Sequence, residues 1–205
     1  MRPRAPRHRL MTPAEYRAFE HASPVRHEFV GGRVYAMTGV SRPHSRISGN
    51  VFARLWAAAG GGPCRVHHSE VKLQVGDEYY YPDVMVACGR EPEDPYVEDA
   101  PCLAVEVLSG SSRRTDLREK PLAYARVASL RLYLVVDQRR RLVDRYWREG
   151  PGEWRHDALA GAGEVRLPCP ELTLTLDEIY AGVDLAAVPP RRVRERPAAY
   201  PAGAR

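Results

Sequence analysis

At 205 residues, 44% hydrophobic and 28% charged, the chain is long enough to bury one full core and reads as a single globular domain with tails. No apolar run approaches the roughly 20 residues that span a bilayer, and the basic opening MRPRAPRHRL has no apolar stretch behind it, so no secretory signal is expected. The net charge of +5 belongs to the ends: residues 1–10 carry four Arg, residues 189–205 carry five Arg against Glu195, and removing those eight charges leaves residues 11–188 at −3.

Both ends are rich in Pro and Arg and poor in apolar side chains, so 1–10 and 187–205 are read as disordered arms around a domain at 11–186. Such arms attract phosphate regardless of sequence or simply stay solvated, which makes global basicity weak evidence for nucleic acid. Within the domain, Thr12-Pro13-Ala14-Glu15 is a capping box with Pro at the first helical position, and the helix it opens ends near His21. HEFV and RVYAM follow as two strands joined at Gly31-Gly32, a hairpin signal. From Pro43 to about Ala59, Ile47, Val51, Leu55 and Ala58 recur at helical spacing, and Gly60-Gly61-Gly62 stop the helix.

Strands are then expected at 64–75 in two pieces, at 79–88 and at 102–109, with the acidic, Pro-containing stretch 89–101 as a connector. A helix is expected at 115–128. RLYLVVD and RLVDRYW flank the turn Gln138-Arg139-Arg140, short strands occupy 153–175, and TLDEIYAGV forms a last short helix. Strands on both sides of one central helix predict a mixed α/β domain: a central sheet flanked by helices and preceded by a helix and a β-hairpin. The four cysteines (Cys64, Cys88, Cys102, Cys169) have no CxxC spacing and fall in apolar or strand-like segments. They are read as buried free thiols of a reducing compartment, neither a zinc site nor a disulfide framework, and the protein as cytoplasmic.

The chemistry concentrates in a few residues. Of 31 basic side chains, only Lys72 and Lys120 are lysine, and arginine does not replace an ammonium where a compact point charge is needed. Asp83 follows Pro82 in the run YYYPDVMVAC, and Glu106 stands inside the apolar run CLAVEVLS. An ionised carboxylate in a strand buried on both faces is costly unless something pairs with it, and two acids on neighbouring strands repel. A divalent cation resolves both problems. Oxygen-only ligation suits Mg²⁺ or Mn²⁺, which polarise a phosphodiester and activate a bound water, while a nearby ammonium stabilises developing charge.

The ordered set of Asp83 behind Pro82, Glu106 in E-V-L-S, and Asp116, Lys120 and Tyr124 spaced as D-x3-K-x3-Y resembles the Uma-two family of restriction endonucleases, a branch of the PD-(D/E)xK nucleases. H-E-F-V-G-G-R-V-Y with Glu28 is similar to that family's entry hairpin, and P-H-S-R-I-S-G-N with His44 and Asn50 to its first long helix. The likeness covers about 12–180. It implies a restriction-endonuclease-like fold, Asp83 and Glu106 as metal ligands, Lys120 as the catalytic lysine, and Glu28 and Asp116 as supporting acids. The superfamily's ExK pattern would put lysine at 108, where this chain has Leu108, so the lysine is displaced onto the following helix. Pro121 directly after it implies a helix that starts near Glu119 or is kinked.

Other readings stay beside these. Glu106 could pair with a core arginine, Asp116 could cap the helix or pair with Arg113, Arg114 or Lys120, and Glu28 could be an ordinary hairpin acid. His44 could be a helix-start cap, and Lys72 is the reserve lysine. The expected function is a Mg²⁺-dependent endonuclease hydrolysing DNA, with DNA as partner, no membrane association, and a homodimer left open. The alternative is a weakly active or inactive DNA-binding or scaffold protein on the same fold.

Overall fold

The computed structural model describes residues 10–109, 115–150 and 152–185. Apart from Leu10, the expected arms lie outside the described residues, as do Arg113 and Arg114. Helix α1 (Pro13–Ala22) starts as read: the Thr12 hydroxyl accepts from Glu15 N, and Glu15 accepts in return from Thr12 N. Strands β1 (His27–Val30) and β2 (Arg33–Ala36) pair antiparallel across the Gly31-Gly32 turn, in which both glycines have positive φ. Helix α2 (Arg42–Ala59) is capped by Ser41 and ends at Gly60 in the left-handed conformation.

The single sheet of the sequence reading is corrected to two main sheets and a hairpin. Strands β3 (Cys64–His67), β4 (Lys72–Val75), β5 (Glu78–Tyr80), β6 (Val84–Cys88), β7 (Val97–Glu98), β8 (Pro101–Leu108), β9 (Leu132–Asp137), β10 (Leu142–Trp147) and β11 (Arg155–Ala160) divide between them. One sheet has the order β2-β1-β5-β4-β7, the other β11-β10-β9-β8-β6-β3. Strands β12 (Glu164–Pro168) and β13 (Glu171–Thr175) form the hairpin, followed by helix α4 (Leu176–Ile179). The expected strand 79–88 is thus two strands in two sheets. Pro82 has no N–H to give a ladder, and Tyr81-Pro82-Asp83 carries the chain from one sheet to the other. The stretch 89–101 holds β7, which pairs in parallel with β4.

The six-stranded sheet is covered on both faces. Against one face α2 packs Ile47, Val51 and Leu55 onto Val84, Val86, Leu103, Val105 and Val107. The other face presents Met85, Ala104, Leu108, Tyr133 and Val135 to Tyr124 and to Leu73, Val75 and Tyr80 of the five-stranded sheet. Strand alternation puts Glu106, between Val105 and Val107, on this second face, in the layer between the two sheets. The expected helix 115–128 is shorter: a π-helical turn at Thr115–Glu119 runs into helix α3 (Lys120–Tyr124). This segment joins β8 to β9, which are parallel and require a crossover. Pro121 sits in the first turn of α3, where its missing N–H costs nothing.

The reading of four free thiols is also corrected. Cys64 is joined to Cys88 and Cys102 to Cys169, and no described cysteine is free. Cys64 and Cys88 stand directly opposite in the β3–β6 ladder, with Cα atoms 4.0 Å apart. Spacing along the chain could not reveal a proximity made by strand pairing. Among the described residues no helix is long and apolar enough to cross a membrane.

Candidate active site

The β6–β8 register pairs Val84 with Val105 and Met85 with Ala104, so one further step places Asp83 across from Glu106 on the same face. Asp83 is held by the backbone of the neighbouring strand, its Oδ2 accepting from Val107 N at 2.7 Å. His44, on the first turn of α2, brings Nε2 to 3.1 Å from the same oxygen. Helix α2 therefore reaches across the sheet edge to touch the carboxylate. His44 is buried, and its Nδ1 has no hydrogen-bond partner among the described residues. Its place is next to Asp83, whereas the cap at this helix end is Ser41.

Lys120 lies at the centre of the remaining acids. Its Nζ is 2.7 Å from Glu106 Oε1, 3.0 Å from Glu28 Oε1 and 3.2 Å from Asp116 Oδ1. Three separate segments, β1, β8 and the π turn, thus converge on one ammonium that is only 4% exposed. Asp116 and Lys120 keep the i, i+4 relation through the π turn and α3. Tyr124, one turn later, donates its hydroxyl to Glu106 Oε1 at 3.0 Å. The Glu28 carboxylate also accepts from Tyr81 N, which ties the hairpin to the crossing segment before Asp83.

Electrostatics follow from this crowding. Burial pushes the Glu106 carboxyl well above its ordinary range, and Asp116, Asp83 and Glu28 push the same way while Lys120 opposes them. Burial alone would strip the Lys120 proton, but Glu106, Glu28 and Asp116 outweigh it and hold the ammonium charged. Tyr124 is raised first by burial and then by Glu106, and stays a phenol that can donate. Lys72 lies elsewhere. Its Nζ stands over the rings of Tyr81 and Tyr96, at 5.9 and 5.5 Å, and burial lowers its pKa. It shares with Asp83 and His44 the lining of a cleft of about 1130 Å³, also bordered by Arg17, Arg26 and His68. Asp83 lines this cleft, and Lys120, Glu106, Glu28 and Asp116 are not part of its lining.

Glu20 had no signal in the sequence. It is buried and accepts from His27 N and the Tyr81 hydroxyl, with His27 Nδ1 also 2.9 Å away. It locks α1 and β1 onto the residue two before Asp83. Its partners are seven and sixty-one positions away, so no local pattern could have exposed it. Asn50, part of the resemblance to the first long helix, donates to Ile179 O and Ala181 O and joins α2 to the C-terminal segment.

Oxygen donors of this kind fit a hard divalent cation. Three carboxylates, those of Glu106, Glu28 and Asp116, face one ammonium here in a largely buried place, with Asp83 near enough to act on Glu106. The contacts above use Oδ2 of Asp83 and Oε1 of Glu106 and not the second oxygen of either group. Among the described residues no three carboxylate or imidazole ligand atoms lie within 4.8 Å of one another. Asp83 and Glu106 are the carboxylates that could hold a hard divalent cation such as Mg²⁺ or Mn²⁺, which takes one or two carboxylates and keeps waters.

Relatives share this frame. An uncharacterized Synechocystis protein, slr1290, is 33% identical over 176 residues, spanning 84% of this chain and 93% of its own length. A second from the same organism, sll1609, is 30% identical over 162 residues, spanning 75% of this chain and 89% of its own. In three dimensions the chain resembles a crystal structure from Anabaena variabilis described as "a putative nuclease belonging to DUF820". The TM-score is 0.70 at 18% identity, covering 83% of this chain and 98% of that one, which fixes a restriction-endonuclease-like fold. Residues 13–178, which hold every acid and the lysine of the cluster, match the family described as "Putative restriction endonuclease", and the chain belongs to that Uma2 family.

Proposed function

We propose that this protein is a divalent-metal-dependent endonuclease that hydrolyses DNA phosphodiester bonds. One observation carries the reading: the only lysine near the acids is drawn by fold, from a separate helix, to 2.7 Å from the strand carboxylate opposite Asp83. Asp83 and Glu106 would hold Mg²⁺ or Mn²⁺, which when bound polarises the phosphodiester and makes its water a better nucleophile. Val107 N fixes the Asp83 carboxylate, and Tyr124 fixes that of Glu106, so neither has to reorganise as charge develops. Glu28 and Asp116 hold the Lys120 ammonium in place, from where it orients the attacking water or meets the phosphate oxygen. The backbone of the substrate reaches Asp83 through the cleft beside His44, where Arg17, Arg26 and Lys72 offer cations to its phosphates.

A second reading, an inactive DNA-binding scaffold, draws on Lys120 itself: an ammonium already balancing three carboxylates lessens the need for a metal. Cleavage of linear, circular and branched DNA with Mn²⁺ separates the two. The nuclease cuts, is thermally stabilised by Mg²⁺, and loses both properties in Asp83→Asn and Glu106→Gln. Full activity in either variant would remove the site assignment, and no cleavage with no metal stabilisation in the unaltered chain would leave the scaffold.

A further inference from the structure

All four cysteines of the chain come together at one place and are unused by the proposed chemistry. Cys64 comes from β3, Cys88 from the end of β6, Cys102 from the start of β8, and Cys169 from the turn of the β12–β13 hairpin. Cys88 Sγ is 3.6 Å from Cys102 Sγ although these two are not bonded to each other. The sulfurs of Cys88, Cys102 and Cys169 all lie within 4.8 Å of one another, and Cys64 is joined to Cys88. Two isolated disulfides would not need to touch. Four thiolates on a tetrahedral ion with metal–sulfur bonds of about 2.3 Å stand about 3.8 Å apart, close to the 3.6 Å between Cys88 and Cys102, and Cys64 is freed to join them when its bond to Cys88 opens.

We infer that in its reduced form this four-cysteine cluster is a structural Zn²⁺ site, with Cys64, Cys88, Cys102 and Cys169 as ligands. Two equivalents of a dithiol reductant open the two disulfides, each supplying two electrons and two protons and itself becoming a disulfide. Zn²⁺ then takes the four thiolates and releases four protons to solvent. The donors are soft sulfur, where Mg²⁺ chemistry at Asp83 and Glu106 needs hard oxygen, so the two sites select different ions. The site closes a mechanical gap as well. Cys169 is the hairpin's contribution, so the ion, like the disulfide it replaces, ties β12–β13 to the strand that carries Glu106.

The test uses the full chain, reduced with a dithiol and freed of it without air. Titration with Co²⁺ as a spectroscopic probe should give thiolate-to-metal charge-transfer absorption saturating at one ion per chain, abolished by one equivalent of Zn²⁺. The absorption should persist in Asp83→Asn and disappear in the Cys102→Ser, Cys169→Ser double variant. If that variant does not fold, alkylation of the unaltered chain decides. With Zn²⁺ bound the four thiols should resist the reagent and react only after chelation. No charge-transfer absorption, or four thiols that react equally with and without Zn²⁺, would overturn the inference.

Discussion

Replacing Lys120 with Met keeps the volume of the stem and removes only the ammonium, which makes it the sharpest probe of the buried charge cluster. At an effective dielectric near 20, each contact at 2.7, 3.0 and 3.2 Å is worth about 5–6 kcal/mol before desolvation. Taking the ammonium out of water costs several kcal/mol and the carboxylates repel one another, so most of that gross attraction is offset. Losing one partner of a buried ion pair still costs about 3–5 kcal/mol, which for a domain of this size lowers Tm by about 6–20 °C. The cost has a pH signature. Without Lys120, Glu106, already raised by burial, loses the ammonium that opposes its neutralisation, and Asp116 and Glu28 lose the same partner. A carboxyl whose folded pKa lies above its unfolded one keeps a proton that the unfolded chain releases, so stability falls as pH rises, by up to about 1.4 kcal/mol per pH unit for each proton kept. Urea denaturation of the unaltered and Lys120→Met chains at pH 5 and pH 8 should show a larger penalty at pH 8. A second substitution, Glu106→Gln, should recover part of it. A penalty below about 1 kcal/mol, or one flat across that range, would refute the view that Lys120 compensates the acids.

Three further outcomes follow. Lys120→Arg keeps the charge but replaces a point donor with a planar fork, so turnover should fall on the order of 10²–10³ while Lys72→Arg does less; the reverse order in a cleavage assay would move the catalytic lysine to β4. Glu98 is raised by burial but more strongly lowered by hydrogen bonds and charge from His67 and Arg65, so it sits below its usual value of 4.5. Its depressed pKa contributes stability above that value and loses it as pH falls through the folded pKa; Glu98→Gln should therefore destabilise at pH 7 and converge with the unaltered chain in acid denaturation. Gly32→Ala forces a side chain into positive φ with its Cβ 2.9 Å from Leu10 Cβ, and thermal melts should show a loss of about 1–3 kcal/mol.

What the sequence made legible were features with a local cause. The Thr12–Glu15 box, the Gly31-Gly32 turn and the Gly60 stop each act within a few residues, and each is present at the position read. The acids were legible for a different reason: a carboxylate flanked by apolar residues on both sides, as in Val105-Glu106-Val107, is conspicuous because burial makes it costly. The misses are non-local. Nothing in the run 78–88 says that Pro82 marks a change of sheet, and a two-residue strand such as β7 has no periodicity to detect. The cysteines were read by spacing, yet Cys64 and Cys88 meet because strand pairing puts them opposite, twenty-four residues apart. Tertiary pairing also decided His44, which chain-local logic assigns to a cap and the fold sets 3.1 Å from Asp83.

The displaced lysine has a physical logic of its own. Positions 106 and 108 point to the same face of β8, so a lysine at 108 would enter the layer between the sheets from the strand that already carries Glu106. Leu108 instead fills that layer, 3% exposed, against the residues around Tyr124. Moving the ammonium to Lys120 leaves the strand apolar but makes its position depend on how the crossover segment packs. That segment is fixed by tyrosines. Tyr133 donates to Asp116 O at 2.9 Å, its ring meets that of Tyr124 edge-on at 4.9 Å, and Tyr146 stacks on Tyr133 at 5.7 Å. The π turn at Thr115–Glu119 keeps Asp116 Oδ1 within 3.2 Å of Lys120 Nζ, an i, i+4 pair, while α3 begins at Lys120 itself with Pro121 in its first turn. The irregularity that makes this helix hard to read from sequence thus sits directly before the lysine that meets the acids.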